Sequence, residues 1–278
     1  MRPALIVRRA ADYLSRHDVE SPLPTAEILL ANVLGIDRTG LYTREEGLST
    51  AEAKRFGRVL CRRCVGVPLQ YLTGEQGFRR LILVVRPGVF IPRPETEILV
   101  EHALEAVADV PAPVVIDVGT GTGAIALAIK DERPDARVLA IDVSPDAVAL
   151  ARENAVRTKL DVEVVQGDLL GALPFSFRRA VDLVVSNPPY VEEHELEGLP
   201  LEVRADPVVA LAGGVDLFER LFIQASGVLR PGGALAVEIG ETQGPAIRAA
   251  ASRAGFVTVD VDLDLAGRDR FVTARMPA

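Results

Sequence analysis

Asn187, Pro188, Pro189 and Tyr190 follow an apolar run (Val181, Leu183, Val184, Val185) with the character of a buried strand. Consecutive prolines donate no backbone hydrogen bonds, so the strand has to end there in a rigid corner. The corner offers acceptors, the Asn187 side-chain oxygen and the Pro188 carbonyl, with the Tyr190 ring beside them. Two acceptors held at fixed spacing suit a planar nitrogen whose lone pair is delocalised, such as an amide or a ring amine. Binding both N–H bonds aims that lone pair at an electrophile, and Tyr190 can stack on the planar group. Taken alone, Asn-Pro-Pro also reads as a plain strand-ending turn.

A second stretch, "VIDVGTGTGAIALAI", runs strand, glycine turn, helix. Gly119, Gly121 and Gly123, with Thr120 and Thr122 between them, let the backbone turn tightly and approach a ligand without a Cβ in the way. Gly119, Gly121 and Ala124 also satisfy the dinucleotide fingerprint in its strand–helix context. Asp142 closes the next strand, where two acceptor oxygens suit a ribose diol. Asp168 takes the corresponding place after the third strand. Asp117, two residues before Gly119, sets a carboxylate where a diphosphate would be repelled and the ammonium of a methionine moiety would be attracted. No Ser-Tyr-Lys set for hydride transfer follows. S-adenosylmethionine is therefore the expected cofactor rather than NAD, and the corner would present a nitrogen to its methyl group.

These residues need a sheet to bring them together. From residue 113 onward the runs "VVIDVG", "RVLAIDV", "VEVVQGD", "VDLVVSN" and "ALAVEIG" alternate with helical segments or loops. That alternation predicts a parallel sheet covered on both faces. The C-terminal "GFVTVDVDLDLAGRDRFVTARM" adds two strands for an antiparallel edge. The fold class is α/β: a Rossmann-like domain over 96–278 with a seven-stranded, mostly parallel sheet. Ligands of such sheets bind at the carboxyl ends of the strands.

Residues 1–74 read as a small helical domain. Ile28, Leu29, Val33 and Leu34 fall at helical spacing before Gly35, and Ser49 or Thr50 caps a helix with Glu52 behind it. Residues 75–95 read as a β-hairpin linker turning at Pro87-Gly88, after which a helix begins near Glu95. Cys61 and Cys64 form a lone C-x-x-C without further ligands nearby, expected as two thiols on a helix and not a metal site.

The order of "YLTGEQGF", "FIPRPETEILVE", "DVGTGTGAIALAI", "SNPPYV", "LRPGGALAVEIG" and "DLAGRDRFV" resembles the release factor glutamine N5-methyltransferases, the HemK family. The resemblance runs from about residue 20 to the C-terminus, and "IPRPETE" beside "SNPPY" separates this family from DNA enzymes sharing the tetrapeptide. It implies that Gly119–Gly123 cradle the methionine part of the cofactor, Asp142 the ribose, and Asp168 with Leu169 the adenine. It implies that Asn187, Pro188, Pro189 and Tyr190 hold a glutamine amide, that Asn187 also borders the cofactor, and that Phe90 walls the transfer site with Arg93 and Glu95 ordering its segment. The implied substrate is the Gly-Gly-Gln glutamine of class I peptide chain release factors, docked in part by the N-terminal domain. The segment "VRADPVVALAGGVDLFERL" departs from the family's more usual aromatic-Glu-Pro.

A formal charge of -8 disfavours a duplex-DNA binder, so the alternative of a nucleic-acid amino-methyltransferase lacks an evident recognition region. A binding module without catalysis would have no use for the paired acceptors. No apolar run approaches the roughly 20 residues of a membrane span, and the N-terminal stretch is too short for a signal peptide. A cytoplasmic protein is expected.

Overall fold

The structure, a computed structural model, describes residues 2–278. The chain forms two compact units: residues up to Glu75 with Pro200–Ala205, and Gln76–Leu199 with Asp206–Ala278.

The first unit is helical: α1 (Pro3–Ser15), α2 (Pro22–Leu34), α3 (Arg38–Thr43), α4 (Thr50–Cys64) and α5 (Leu69–Thr73). Val7 and Leu14 of α1 pack with Leu29, Leu30 and Val33 of α2, Leu41 of α3 and Phe56 of α4. Ile28 lies on the exposed side of α2, because the buried stripe runs through Ala26, Leu29, Leu30 and Val33. Gly35 ends α2 in the left-handed conformation, and Ser49 and Glu52 form a reciprocal capping box on α4. Cys61 and Cys64 are free thiols on α4. Among the described residues no cluster of three metal-ligating side chains occurs. No helix among them is long and apolar enough to cross a membrane. The guanidinium of Arg63, almost wholly buried, pairs with Glu202 of the returning 200–205 segment.

The second unit opens with a hairpin, β1 (Glu75–Phe78) and β2 (Leu81–Val84), then α6 (Thr96–Ala106). Strands and helices alternate from there: β3 (Val114–Val118), α7 (Ala124–Glu132), β4 (Arg137–Asp142), α8 (Pro145–Thr158), β5 (Val162–Gln166) and β6 (Val181–Ser186). The chain ends with α9 (Gly214–Val228), β7 (Leu229–Glu238), α10 (Gly244–Arg253), β8 (Thr258–Leu263) and β9 (Asp269–Arg275). The hairpin turns at Arg79-Arg80 and not at Pro87-Gly88. Arg79 accepts a left-handed φ of 50° because its amide and guanidinium are held by Glu97, Glu101 and Glu132. Pro87-Gly88 is a separate turn that leads into the extended segment before α6.

The seven-stranded sheet has the order β5-β4-β3-β6-β7-β9-β8. The first five strands of that order run parallel, and β9 and β8 complete an antiparallel edge. Alternate strand residues feed two cores. Val115, Val138, Leu183 and Val185 meet α6, α7, α8 and the hairpin's Phe78 and Leu83. Ile116, Leu139, Val184 and Leu235 meet Phe218, Leu221 and Phe222 of α9 and Ile247 of α10. Both sides of the central strands being covered, those strands read as continuous apolar runs.

Chain order reverses at β3. The chain goes outward through β4 and β5, then returns to place β6 on the other side of β3. A crevice therefore opens between the ends of β3 and β6, the position at which open α/β sheets take their ligands.

Candidate active site

The glycine loop leaves β3 and the proline corner leaves β6 side by side, since Val118 and Ser186 are register partners. Neighbouring strands lie about 5 Å apart, so Gly119 and Asn187 begin the two walls of one crevice. Ser186 fastens them: its buried hydroxyl donates to the Val118 carbonyl at 2.7 Å.

In the loop, Gly119 (φ 73°), Gly121 (φ 56°) and Gly123 (φ 84°) all take left-handed conformations. A Cβ on Gly119 would meet nothing within 4 Å, so there the backbone borders open space. The amides of Gly119 and Thr120 donate to the Ile141 carbonyl, closing the loop on the end of β4. Asn154, fully buried on α8, donates to the Thr122 carbonyl at 2.9 Å and exchanges two bonds with the Val84 backbone. Thr120 and Thr122 turn their side chains inward. What the loop offers a ligand is its backbone.

Asp117 is wholly buried, so it does not face the crevice as the sequence suggests. Its Oδ2 accepts from Thr120 Oγ1 at 2.5 Å and from the Ala126 amide at 3.2 Å, which ties the loop to α7. Oδ1 has no partner. Burial pushes this carboxyl up to about 7, against the lowering effect of its two hydrogen bonds. Asp142 is half-buried and borders the loop: Oδ2 accepts from the Gly121 amide at 2.8 Å and Oδ1 from the Ser144 amide at 2.9 Å. The Val143 amide also bears on this carboxylate, which still has acceptor capacity left. Ser144, and not Asp142, caps α8. Asp168 lies exposed beyond β5 and pairs with Arg220 of α9 at 2.6 Å, with Leu169 half-buried behind it.

At the corner, Pro188 is buried and Asn187 and Tyr190 are half-buried. Asn187 Nδ2 donates to Thr96 Oγ1 at 3.1 Å, and Thr96 Oγ1 donates to Glu238 Oε2 at 2.7 Å. Glu238 ends β7 almost wholly buried, and burial pushes its carboxyl up to about 7. Tyr190 donates to Glu238 Oε1 and accepts from Arg270 of β9, both at 3.4 Å. Burial and the neighbouring Glu238 hold the Tyr190 phenol well above its usual range, so it stays neutral. The Tyr190 backbone is fixed by Gln243, whose Nε2 donates to its carbonyl at 2.8 Å.

The "VFIPRPETE" segment runs toward this corner through Thr96. Arg93 lies over the Phe90 ring at 5.2 Å and pairs with Asp206 at 2.5 Å. Asp206, buried, also accepts from the Ile91 amide at 3.3 Å. The departing "VRADPVVAL" segment thus anchors the "IPRPE" stretch through a carboxylate. Glu95 sits exposed at the start of α6, near enough for its charge to raise the Tyr190 phenol and the Glu238 carboxyl.

The sequence reading missed Thr96, Glu238, Arg270, Asp206, Asn154 and Arg220. Three of them stand inside conspicuous stretches: Thr96 in "IPRPETE", Glu238 in "AVEIG" and Arg270 in "GRDRFV". A polar residue inside an apolar strand, as Glu238 is, was the available signal.

Residues 80–200 match the Methyltransferase small domain family, and residues 6–74 match the PrmC N-terminal domain. The chain is 44% identical over 268 residues to a release factor glutamine methyltransferase of Moorella thermoacetica, covering 94% of each chain. It is 43% identical over 275 residues to one from Deinococcus radiodurans, covering 97% of each. Among solved structures, a 16S rRNA N2 methyltransferase of T. thermophilus, in complex with AdoMet and guanosine, has a TM-score of 0.53 at 20% identity. That match covers 73% of this chain and 49% of the other, a likeness of fold alone.

Proposed function

The chain belongs to the release factor glutamine methyltransferases, and from that premise we propose that Asn187–Tyr190 hold the glutamine amide while the glycine-loop crevice holds the cofactor. The enzyme is an S-adenosylmethionine-dependent methyltransferase acting on the side-chain amide of a release-factor glutamine. The observation that carries the residue assignment is the register of β3 and β6, which sets the loop and the acceptor corner on adjacent strand ends.

The residues present fit the cofactor. Asp142 has acceptor positions left for a ribose diol, and Gly119 leaves room where a side chain would intrude. Above the value near 7 to which burial lifts it, Asp117 acts from behind the loop as a buried negative charge with an unpartnered oxygen, favouring a ligand ammonium through the field and not by contact. Asp168 and Leu169 border the far end, toward adenine. When bound, S-adenosylmethionine supplies a methyl group on a cationic sulfur that is also a good leaving group.

The chain's own task is to aim a poor nucleophile. Asn187 Oδ1 and the Pro188 carbonyl accept the two N–H bonds of the amide, directing its nitrogen toward the methyl position. Phe90, steadied by Arg93, walls the opposite side. Tyr190 is neutral and Glu238 is engaged by Thr96 and Tyr190, so neither is a base before attack; the methylated nitrogen, made acidic by its new positive charge, sheds its proton to solvent afterwards. The acceleration rests on positioning, which in well-oriented systems contributes roughly 7–11 kcal/mol. The helical unit, residues 1–74, serves to dock the release factor, and the glutamine is that of the Gly-Gly-Gln loop of class I factors.

The test is mass spectrometry of an unmethylated class I release factor incubated with the enzyme and S-adenosylmethionine. A one-methyl shift is expected on the Gly-Gly-Gln peptide, absent with Asn187→Ala. No shift, with methyl transfer to RNA or DNA under the same conditions, would mean that the corner reads a base instead.

A further inference from the structure

An asparagine amide can face a substrate with either its oxygen or its NH₂, and only the oxygen can accept an N–H bond. Asn187 stands at this choice, and the side chains behind it decide the outcome. Ionised Glu238 accepts only, so the Thr96 hydroxyl proton, 2.7 Å away, is committed to it. Thr96 Oγ1 then has lone pairs and no proton to offer toward Asn187, and it can be met only by Nδ2, at 3.1 Å. With Nδ2 tied back, Oδ1 is turned outward. We propose that Thr96 and Glu238 are positioning residues for methyl transfer, forming a one-way hydrogen-bond relay that locks the Asn187 amide with its oxygen toward the substrate.

Glu238 itself is held for this task. Arg270 of β9 lies near its carboxylate and bonds to Tyr190, whose hydroxyl occupies Oε1 and leaves Oε2 to Thr96. A carboxylate buried to this degree is costly unless paired and hydrogen-bonded. Its presence at the end of an apolar strand fits a role that a leucine could not fill. Assays at pH 8, above the value near 7 to which burial lifts it, keep Glu238 ionised.

The inference rests on the reading of Asn187 as the amide acceptor, and the experiment separates the two. Methylation of a release factor is measured at saturating cofactor for wild type, Thr96→Val, Thr96→Ser, Glu238→Leu and Asn187→Ala, with Asn187→Ala/Thr96→Val closing a double-mutant cycle. Thr96→Val keeps the volume but strands the Asn187 N–H bonds and frees the amide to flip. Its kcat should fall about ten- to hundredfold, the consequence of an unpaired buried donor. The KM for S-adenosylmethionine should stay within about twofold. Thr96→Ser, restoring the hydroxyl, should recover most of the loss, and Glu238→Leu should reproduce it. In the Asn187→Ala background Thr96→Val should cost nothing further.

Wild-type kcat in Thr96→Val, while Asn187→Ala shows its loss of about two to three orders of magnitude, would overturn the relay and leave the acceptor reading standing. So would a loss that serine does not recover, or one that persists undiminished without Asn187. Wild-type turnover in Asn187→Ala would overturn the acceptor reading itself. Should Glu238→Leu fail to fold, Thr96→Val and its cycle decide the matter alone.

Discussion

The two walls of the crevice are built in different ways. The glycine loop is made from its own neighbourhood in the chain: left-handed glycines, a carboxylate two residues upstream, and backbone bonds to the end of β4. The proline corner takes its local bend from its prolines, but its working orientation from residues scattered along the chain. Thr96 lies 91 positions before Asn187, and Glu238 lies 142 positions after Thr96, on the other side of Asn187. A wall that binds can be formed by a backbone loop and a few side chains from nearby in the chain. A wall that aims one atom of an amide needs side-chain donors and acceptors of fixed polarity, and these come from several elements at once.

The sharpest way to test that contrast is at its acting residue. Asn187→Ala should lower kcat by about two to three orders of magnitude, since it removes one of two aligning acceptors. Isothermal titration with S-adenosylmethionine should give a nearly unchanged Kd. A matched loss of cofactor affinity would mean that the two walls are one site.

The next effect in size comes from the backing of the corner. A Cβ on Gly213 would lie 2.2 Å from the Pro189 carbonyl oxygen and 2.9 Å from Leu217, and the backbone atom cannot give way. Gly213→Ala should therefore displace the corner, lowering kcat about tenfold or more and folding stability by about 1–3 kcal/mol. Urea unfolding and initial rates read both quantities.

On the loop side, Asp117→Asn should raise the Kd for S-adenosylmethionine by about three- to tenfold, the scale of a through-space attraction between two charges, while kcat at saturation changes little. Stability should move the other way. The Asp117 and Glu238 carboxyls bind protons more tightly folded, near 7, than unfolded, near 4. Between those values the folded state carries more protons, so the stability they contribute is complete at low pH and is lost as pH rises through 7. The cofactor-free wild type should melt higher at pH 6 than at pH 8, and Asp117→Asn should narrow that difference. Calorimetry at the two pH values reads it directly.

The smallest effect belongs to the crevice's outer end. Asp168 and Arg220 are both more than half exposed, and exposed pairs contribute about 0–1 kcal/mol. Arg220→Ala should leave the melting temperature nearly unchanged and shift the KM for S-adenosylmethionine by no more than about threefold. A larger change would assign Arg220 a direct part in holding adenine.

Much of this molecule is legible in its residues taken in order. Apolar alternation with helical spacing foretells the parallel sheet, the prolines of 188–189 foretell the corner, and the glycines of 119–123 foretell the tight left-handed loop after β3. All of these act within a few positions, through backbone freedom and the repeat of helix or strand, so they survive in a string of letters. The hairpin turn was misplaced for the complementary reason. Pro87-Gly88 has the better local turn chemistry, but Arg79 is held in its left-handed bend by Glu97, Glu101 and Glu132, which lie elsewhere.

The same division runs through the site. Asp142 was legible because its place at a strand end is fixed by topology. Asp117 was legible as a residue but not in its exposure, since only packing shows that α7 and Thr120 enclose it. Glu238 carried one local sign, a carboxylate inside an apolar strand, and Thr96 carried none of its function. Which end of the Asn187 amide faces outward is set by where protons lie in a buried network, and that is decided only when β6, β7 and the start of α6 come together. Residue order determined the backbone's bends and the elements; tertiary structure alone decided the polarity of the acceptor they present.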